Sequence, residues 1–260
     1  MKFAQLILSL SGIFILTGNV SAQHARFPTS GVIEFEKSVN MHAVIKKGIT
    51  KDNESFMQQA FDQYKKTQPQ FQLLQSTLTF SNNKTLYKPQ AVENVQQSAF
   101  FRNEPAIAQP NIILTDLTSG TSICQKTIYD EIFLVRDSVR KITWKITDET
   151  RDIAGYNCRR ANAIIMDSIY VVAFYTDEIP VSGGPETFTG LPGMILGVAL
   201  PHENMTWFAK RVIDKPVLSN ELAPPTKGKP TTVAGLKETI KAALKSWGSY
   251  AQSAYKAFLL

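Results

Sequence analysis

Three histidines, His24, His42 and His202, are all the imidazole this 260-residue chain offers for general-base work. A serine hydrolase needs a nucleophile, a base and an orienting acid brought together. His202 falls in the turn Pro201–Asn204, and no G-x-S-x-G elbow occurs; Val181 to Pro185 reads VSGGP, which lacks the pattern. Zinc-type spacings and H-E-x-x-H are absent from the sequence, and the acids of TDET (Thr147 to Thr150) and YTDE (Tyr175 to Glu178) sit where strand ends meet water. The stretch GPETFTGLPGMIL, Gly184 to Leu196, fails as a phosphate loop. After Gly193 the chain runs into Met194, Ile195 and Leu196, with no Lys-Ser/Thr pair at a helix start to meet phosphate oxygens. The expectation is a protein that is not an enzyme, with no cofactor and no metal.

The same stretch makes better sense as a turn. Pro192 fixes φ, Gly193 tolerates positive φ, and the pair predicts the centre of a type II turn. Gly184 and Pro185 bend the chain before it. Phe188 and Leu191 are placed to anchor the bend in a core, and Gly190, Leu191, Pro192 and Gly193 form a structural motif.

The elements around it read mostly as strands. In GVIEFEKSVNMH, Ile33, Phe35, Val39 and Met41 share one parity and Glu34 and Glu36 the other; in KITWKIT, Ile142, Trp144 and Ile146 oppose Lys141, Thr143 and Lys145. Such alternation predicts a sheet with one wet face, hence antiparallel pairing. Asn, Asp, Ser and Gly punctuate the remainder at Ser81-Asn82-Asn83, Thr118-Ser119-Gly120 and Met166-Asp167-Ser168, at hairpin spacing and without a helix after each strand. Two segments have helical period instead. Phe56, Met57, Ala60, Phe61 and Tyr64 form a stripe early in the chain. Val233, Leu236, Ile240, Leu244, Trp247, Ala251, Ala254 and Phe258 form another near the end, after the linker-like APPTKGKP and beside several lysines. That basic amphipathic helix docks either on the protein's own core or on a membrane surface or partner.

The first 22 residues carry one charge, Lys2, an apolar run from Phe3 to Leu16, and small residues at Val20-Ser21-Ala22. This predicts a signal peptide, residues 1–22, cleaved before Gln23; the run is too short for a membrane span. The fold class expected is α+β, mainly β: a curved antiparallel sheet over residues 23–222 with an early helix, then a linker and amphipathic helix over 223–260. In the oxidising compartment that export implies, Cys124 and Cys158 most simply form one disulfide, with a metal pair as the rival. The bridge closes a loop of about 35 residues and constrains the unfolded chain by roughly 3–4 kcal/mol. A net charge of +6 without a basic stripe argues against nucleic acid as a partner.

The chain resembles the GLPGLI family of exported Bacteroidetes proteins. TGLPGMIL carries the family's motif with Met194 in place of leucine. KITWKITDETRDIAGYNCRRA resembles its tryptophan strand, acidic turn and I-x-G-Y-x-C-x-x-A segment, and VVAFYTDEIPVSGGPETFTG resembles the approach to the motif, with Phe174 where tryptophan is common. The resemblance covers about Lys141 to Val212. It implies no known activity, but an accessory role near outer-membrane receptors of the TonB-dependent kind, at the periplasm or the outer-membrane periphery. The strand pattern is also similar to the half-barrel of LolA-type lipoprotein carriers. The expected function is therefore an envelope accessory or binding protein, holding a hydrophobic ligand or partner with Trp144, Phe174 and Trp207 as candidate lining. The alternatives are an interaction module whose C-terminal helix makes peripheral membrane contact and, behind it, a hydrolase.

Overall fold

A computed structural model describes residues 27–90, 100–248 and 250–260. The expected signal peptide and His24 lie outside the described residues. In chain order the elements are β1 (Ser30–Asn40), α1 (Met41–Lys47), α2 (Glu54–Thr67), β2 (Phe71–Ser81), β3 (Lys84–Pro89), β4 (Ile112–Asp116), β5 (Thr121–Ile128) and β6 (Glu131–Ser138). They continue with β7 (Lys145–Ile153), β8 (Tyr156–Ile165), β9 (Ile169–Thr176), β10 (Met194–Leu200), β11 (Met205–Asp214), β12 (Lys229–Thr231), α3 (Val233–Ala243) and α4 (Tyr250–Leu259). All strands join one curved sheet in the order β12-β6-β5-β4-β3-β2-β1-β11-β10-β9-β8-β7. Every pairing is antiparallel except β12 on β6, which makes the sheet mixed. Among the described residues no helix is long and apolar enough to cross a membrane.

Period-two alternation decides which face is covered. On β1, Ile33, Phe35, Lys37 and Val39 are buried while the residues between them are half-buried. Their partners continue the inner face across Leu78 and Ser76 on β2, Tyr87 on β3, Ile113 on β4 and Cys124 on β5. In the other direction the face runs through Trp207 on β11, Val198 on β10, Ala173 on β9 and Ala161 on β8. Trp207, Phe35 and Phe80 are fully buried there, each contributing about 2–3 kcal/mol of apolar burial. Hairpin turns are tight because their residues accept left-handed backbone: Asn82 and Asn83 between β2 and β3, Ala154 and Gly155 between β7 and β8.

The helices cover this inner face. Asn40 caps α1 by accepting from Ala43 N at 3.1 Å, and α2 buries Phe61 and Tyr64 while leaving Phe56 outside. The terminal stripe is not one helix. α3 ends at Ala243 with Leu244 as its C-cap, and Gly248, at φ +56°, turns the chain before α4, a left-handed setting that glycine tolerates. Thr232 caps α3 through Gly235 N at 3.1 Å. Leu236, Ile240, Leu244, Ala254 and Phe258 are buried in the common core, and Trp247 and Val233 are partly exposed.

The expected disulfide is not formed: Cys124 and Cys158 are free and buried. The sheet explains it. Cys124 lies on the inner face of β5, whereas Cys158 on β8 has the parity of Arg160 and faces outward, with β4, β3, β2, β1, β11, β10 and β9 between. Thiols on opposite faces of distant strands cannot approach the ~2 Å of a bridge. Burial pushes the Cys124 thiol up to about 11 and, with Glu178 and Asp152 adding, the Cys158 thiol up to about 12. Both thiols are therefore inert when folded. We expect two free thiols in denaturant without reductant and a melting temperature unchanged by reductant; a single alkylation-resistant cystine would contradict the fold.

Candidate functional site

The segment joining β9 to β10 crosses the inner face. Around its prolines and small residues it bends through successive i→i+2 bonds: Val181 N donates to Ile179 O at 2.8 Å, Gly183 N to Val181 O at 2.7 Å, and Gly193 N to Leu191 O at 2.8 Å. The last bond corrects the expected type II turn. With Pro192 at its centre the bend is an inverse γ-turn, and Gly193 has φ +143°, beyond the type II value. Phe188 and Leu191 are fully buried, and the Trp144 indole donates to Thr189 O at 2.9 Å.

This crossing carries Glu186 into the interior. The residue is 6% exposed and has φ +51°, a strained setting for a non-glycine residue, of the kind stored at functional sites. Asn111 Nδ2 donates to its Oε2 at 3.1 Å. Lys37 projects from β1, its ammonium 4.9 Å from the centre of the Trp207 ring, and Lys126 projects from β5 to donate to Gln109 Oε1 at 3.2 Å. Arg140, after β6, donates through Nη2 to Leu259 O at 2.5 Å, while Thr187 Oγ1 donates to Leu260 O at 3.2 Å. Among the described residues, three cations thus converge near one buried carboxylate. Asp137 stands at the solvent side, where it accepts from Val233 N at 2.9 Å.

Low dielectric registers on the groups around Glu186. Burial pulls Lys37 down to about 8, against the raising effect of Glu186. Burial likewise lowers Lys126 and Arg140. The Tyr87 phenol is pushed well above its usual range by burial and then by the Glu186 carboxylate. Several polar atoms have no hydrogen-bond partner in protein: Ser76 Oγ, Asn111 Oδ1, Arg140 Nη1, Thr189 Oγ1 and Trp207 Nε1. The Ser76 and Trp207 atoms approach the Tyr87 hydroxyl closely enough to bear on its acidity but do not reach bonding geometry. Orphaned buried polar atoms are uncommon, and each costs about 1–3 kcal/mol.

Two voids lie in this cluster. One, of about 80 Å³, is lined by Lys126, Arg140 and Thr189 together with Val135, Leu236 and Phe258. The other, of about 10 Å³, is bounded by Lys37, Asn111, Glu186, Trp207 and Leu260, room for about one water. The arrangement is suited to holding an anion. It presents no activated nucleophile, because the thiol in the larger void is raised rather than lowered.

The residues nominated from sequence are not brought together. Trp207 is in this cluster, Trp144 braces the crossing segment, and Phe174 faces outward, where its ring is 6.4 Å from that of Phe208 with Arg151 over both. His42 stands apart, edge-on to Phe61 and Tyr64 at 6.0 Å, and His202 is exposed. No cluster of metal-ligating side chains occurs among the described residues. Sequence reasoning missed Lys37 and Lys126. The signal was parity: Lys37 shares the parity of Ile33, Phe35 and Val39, and Lys126 that of Cys124 and Ile128.

The pH dependence of stability tests this placement. Lys37 has a folded value of about 8 and an ordinary one of 10.5. Between those values the unfolded chain holds a proton that the folded chain has shed, so stability rises with pH in that window; Lys126 acts in the same sense. The thiols, raised from 9.0, and Tyr87 act oppositely above about pH 9, because there the unfolded chain ionises first. Urea unfolding is expected to show a gain of about 1 kcal/mol between pH 8 and 9 that then levels off. Lys37→Met should reduce the rise, leaving the share of Lys126; a flat wild-type profile would place the ammonium in water.

The sequence model of a family described as a protein of unknown function (Porph_ging) matches residues 164–197, from the end of β8 through most of β10 and including the Gly190–Gly193 turn. No curated protein matches the chain. Two solved structures of PNGF-II are similar in fold. The C2 form has 15% identity and a TM-score of 0.51 over 80% of this chain; the P21 form has 16% and 0.50 over 81%. The chain spans about a third of their length, 32% and 33%.

Proposed function

We propose that this is an exported binding protein of the cell envelope, with its ligand held between the inner face of the sheet and the terminal helices. The observation that carries the reading is the larger void: Arg140 Nη1 and Thr189 Oγ1 are buried beside it without partners. Evolution seldom leaves such atoms unpaired unless something else completes them. Export rests on the signal-like residues 1–22. The role beside a TonB-dependent receptor rests on the resemblance to the GLPGLI family, within which we place the motif-bearing stretch. The basic terminal stripe turns inward onto the core, so the binding reading needs no membrane contact from it.

Two measurements test this. The protein purified from envelope fractions should carry a noncovalent mass in native mass spectrometry, and crosslinking in cells should recover an outer-membrane receptor. A cytoplasmic location together with a ligand-free mass would overturn the reading.

A further inference from the structure

We infer that the larger void is the head-group end of a site for a long-chain aliphatic carboxylate, and that Leu259 and Leu260 occupy part of that site in the free protein. The inference rests on the binding reading above and names its ligand class. The Arg140 guanidinium is a fork with one arm used: Nη2 reaches the Leu259 carbonyl at 2.5 Å, while Nη1 is buried and unpaired. A carbonyl oxygen engages one arm, whereas a carboxylate engages both. Thr189 is 2% exposed and its unpaired hydroxyl borders the same void, as does the ammonium of Lys126, itself 6% exposed. These groups supply donors and positive charge for one carboxylate.

Much of the remaining lining is apolar, including Val135, Leu236 and Phe258 with Leu259 and Leu260. The void of about 80 Å³ is smaller than the ~150 Å³ cavity that holds benzene, so a head group and a few methylenes fill it. A longer chain has somewhere to go. Arg140, Val233 and Leu259 are shared with an adjoining open cleft of about 710 Å³, whose far wall includes Ile142, Ile164 and Met166. Ile164, on that wall, is 67% exposed.

The seat of the two leucines supports displacement. The side-chain hydrogen bonds that hold them come from Arg140 and Thr187, and both end on main-chain oxygens, which carboxylate oxygens replace in kind. The charge balance also argues against a neutral ligand. A neutral lipid leaves Lys37, Lys126 and Arg140 with Glu186 alone as counter-charge.

The test compares dodecanoate with dodecanol, both below their micelle concentrations, by calorimetry and by quenching of tryptophan fluorescence on the intact protein. Dodecanoate should bind saturably and about tenfold or more tighter than the alcohol. Arg140→Met, which keeps length and apolar bulk, and Thr189→Val should each weaken dodecanoate and leave dodecanol unchanged. Leu260→Ala should tighten dodecanoate by widening the site. Equal binding of acid and alcohol by the wild type would overturn the head-group assignment without any variant. Saturable binding of neither, when native mass spectrometry still shows another bound mass, would sink this inference while the binding reading stands. Absence of both would remove the two together.

Discussion

Gly193→Val is expected to abolish accumulation of folded protein. At φ +143° the backbone is in a region that side chains avoid, and an added Cβ would sit 2.1 Å from Thr176 O, 2.7 Å from Thr176 C and 2.9 Å from Asp177 Cα. All three are main-chain atoms at the end of β9, held by the ladder to β8 and β10, so none can turn aside as a flexible side-chain tip would. The backbone strain costs about 1–3 kcal/mol. Overpacking a closed site costs about as much again, and together they approach the whole stability of a domain, about 5–15 kcal/mol. Gly120→Ala is the control, because it has φ +68° but open space where the methyl would go. Its loss should be about 1 kcal/mol. Soluble yield and urea unfolding of both variants check the pair. A Gly193→Val protein that melts like wild type would show that the crossing segment is not clamped as described.

Glu186→Gln should also destabilise the protein, through charge instead of volume. Glutamine keeps the shape and still offers an oxygen to Asn111, but it removes the only carboxylate that faces Lys37 and Lys126 among the described residues. Breaking a buried ion network by removing one member costs about 3–5 kcal/mol. Here the cost has a ceiling, because Lys37 can shed its proton. Its folded value is already about 8. Each tenfold further weakening of its hold on that proton costs about 1.4 kcal/mol, until the amine is neutral at the working pH. The loss through Lys37 at pH 7 is therefore at most about 1.4 kcal/mol, Lys126 adds to it, and Lys37→Met in the same chain should recover the Lys37 part. A double-mutant cycle at pH 7 measures that coupling; strictly additive losses would mean that the two groups do not sense each other.

Much of this fold is legible without coordinates. Ile33, Phe35 and Val39 announce a half-buried strand, Ser81-Asn82-Asn83 a hairpin turn, and the stripe through Phe61 and Tyr64 a helix, because each of these is decided by neighbours within a few residues. The breaks come where the outcome depends on distant chain. Gly248 is visible as a weak point in the terminal stripe, but whether it bends a helix or ends one depends on how α3 and α4 pack against the core. The expected pairing of the thiols follows from their count and compartment. Neither says which face of which strand a thiol occupies.

The same division runs through the site. By itself the sequence determined the alternating strands, the turns, and a glycine-proline segment in which Gly193 has no substitute, since parity, backbone sterics and the fixed φ of proline are local properties. The parity that buries Lys37 and Lys126 is also written in each strand, though it was passed over. Only the tertiary structure decided that those two faces are one surface, that Glu186 is carried between them, and that Arg140 meets Leu259 there. Residues 37, 126, 140, 186 and 259 meet through strand order and curvature. Those are set by the closing of long loops and the sharing of one core, and no pattern in a single strand records them.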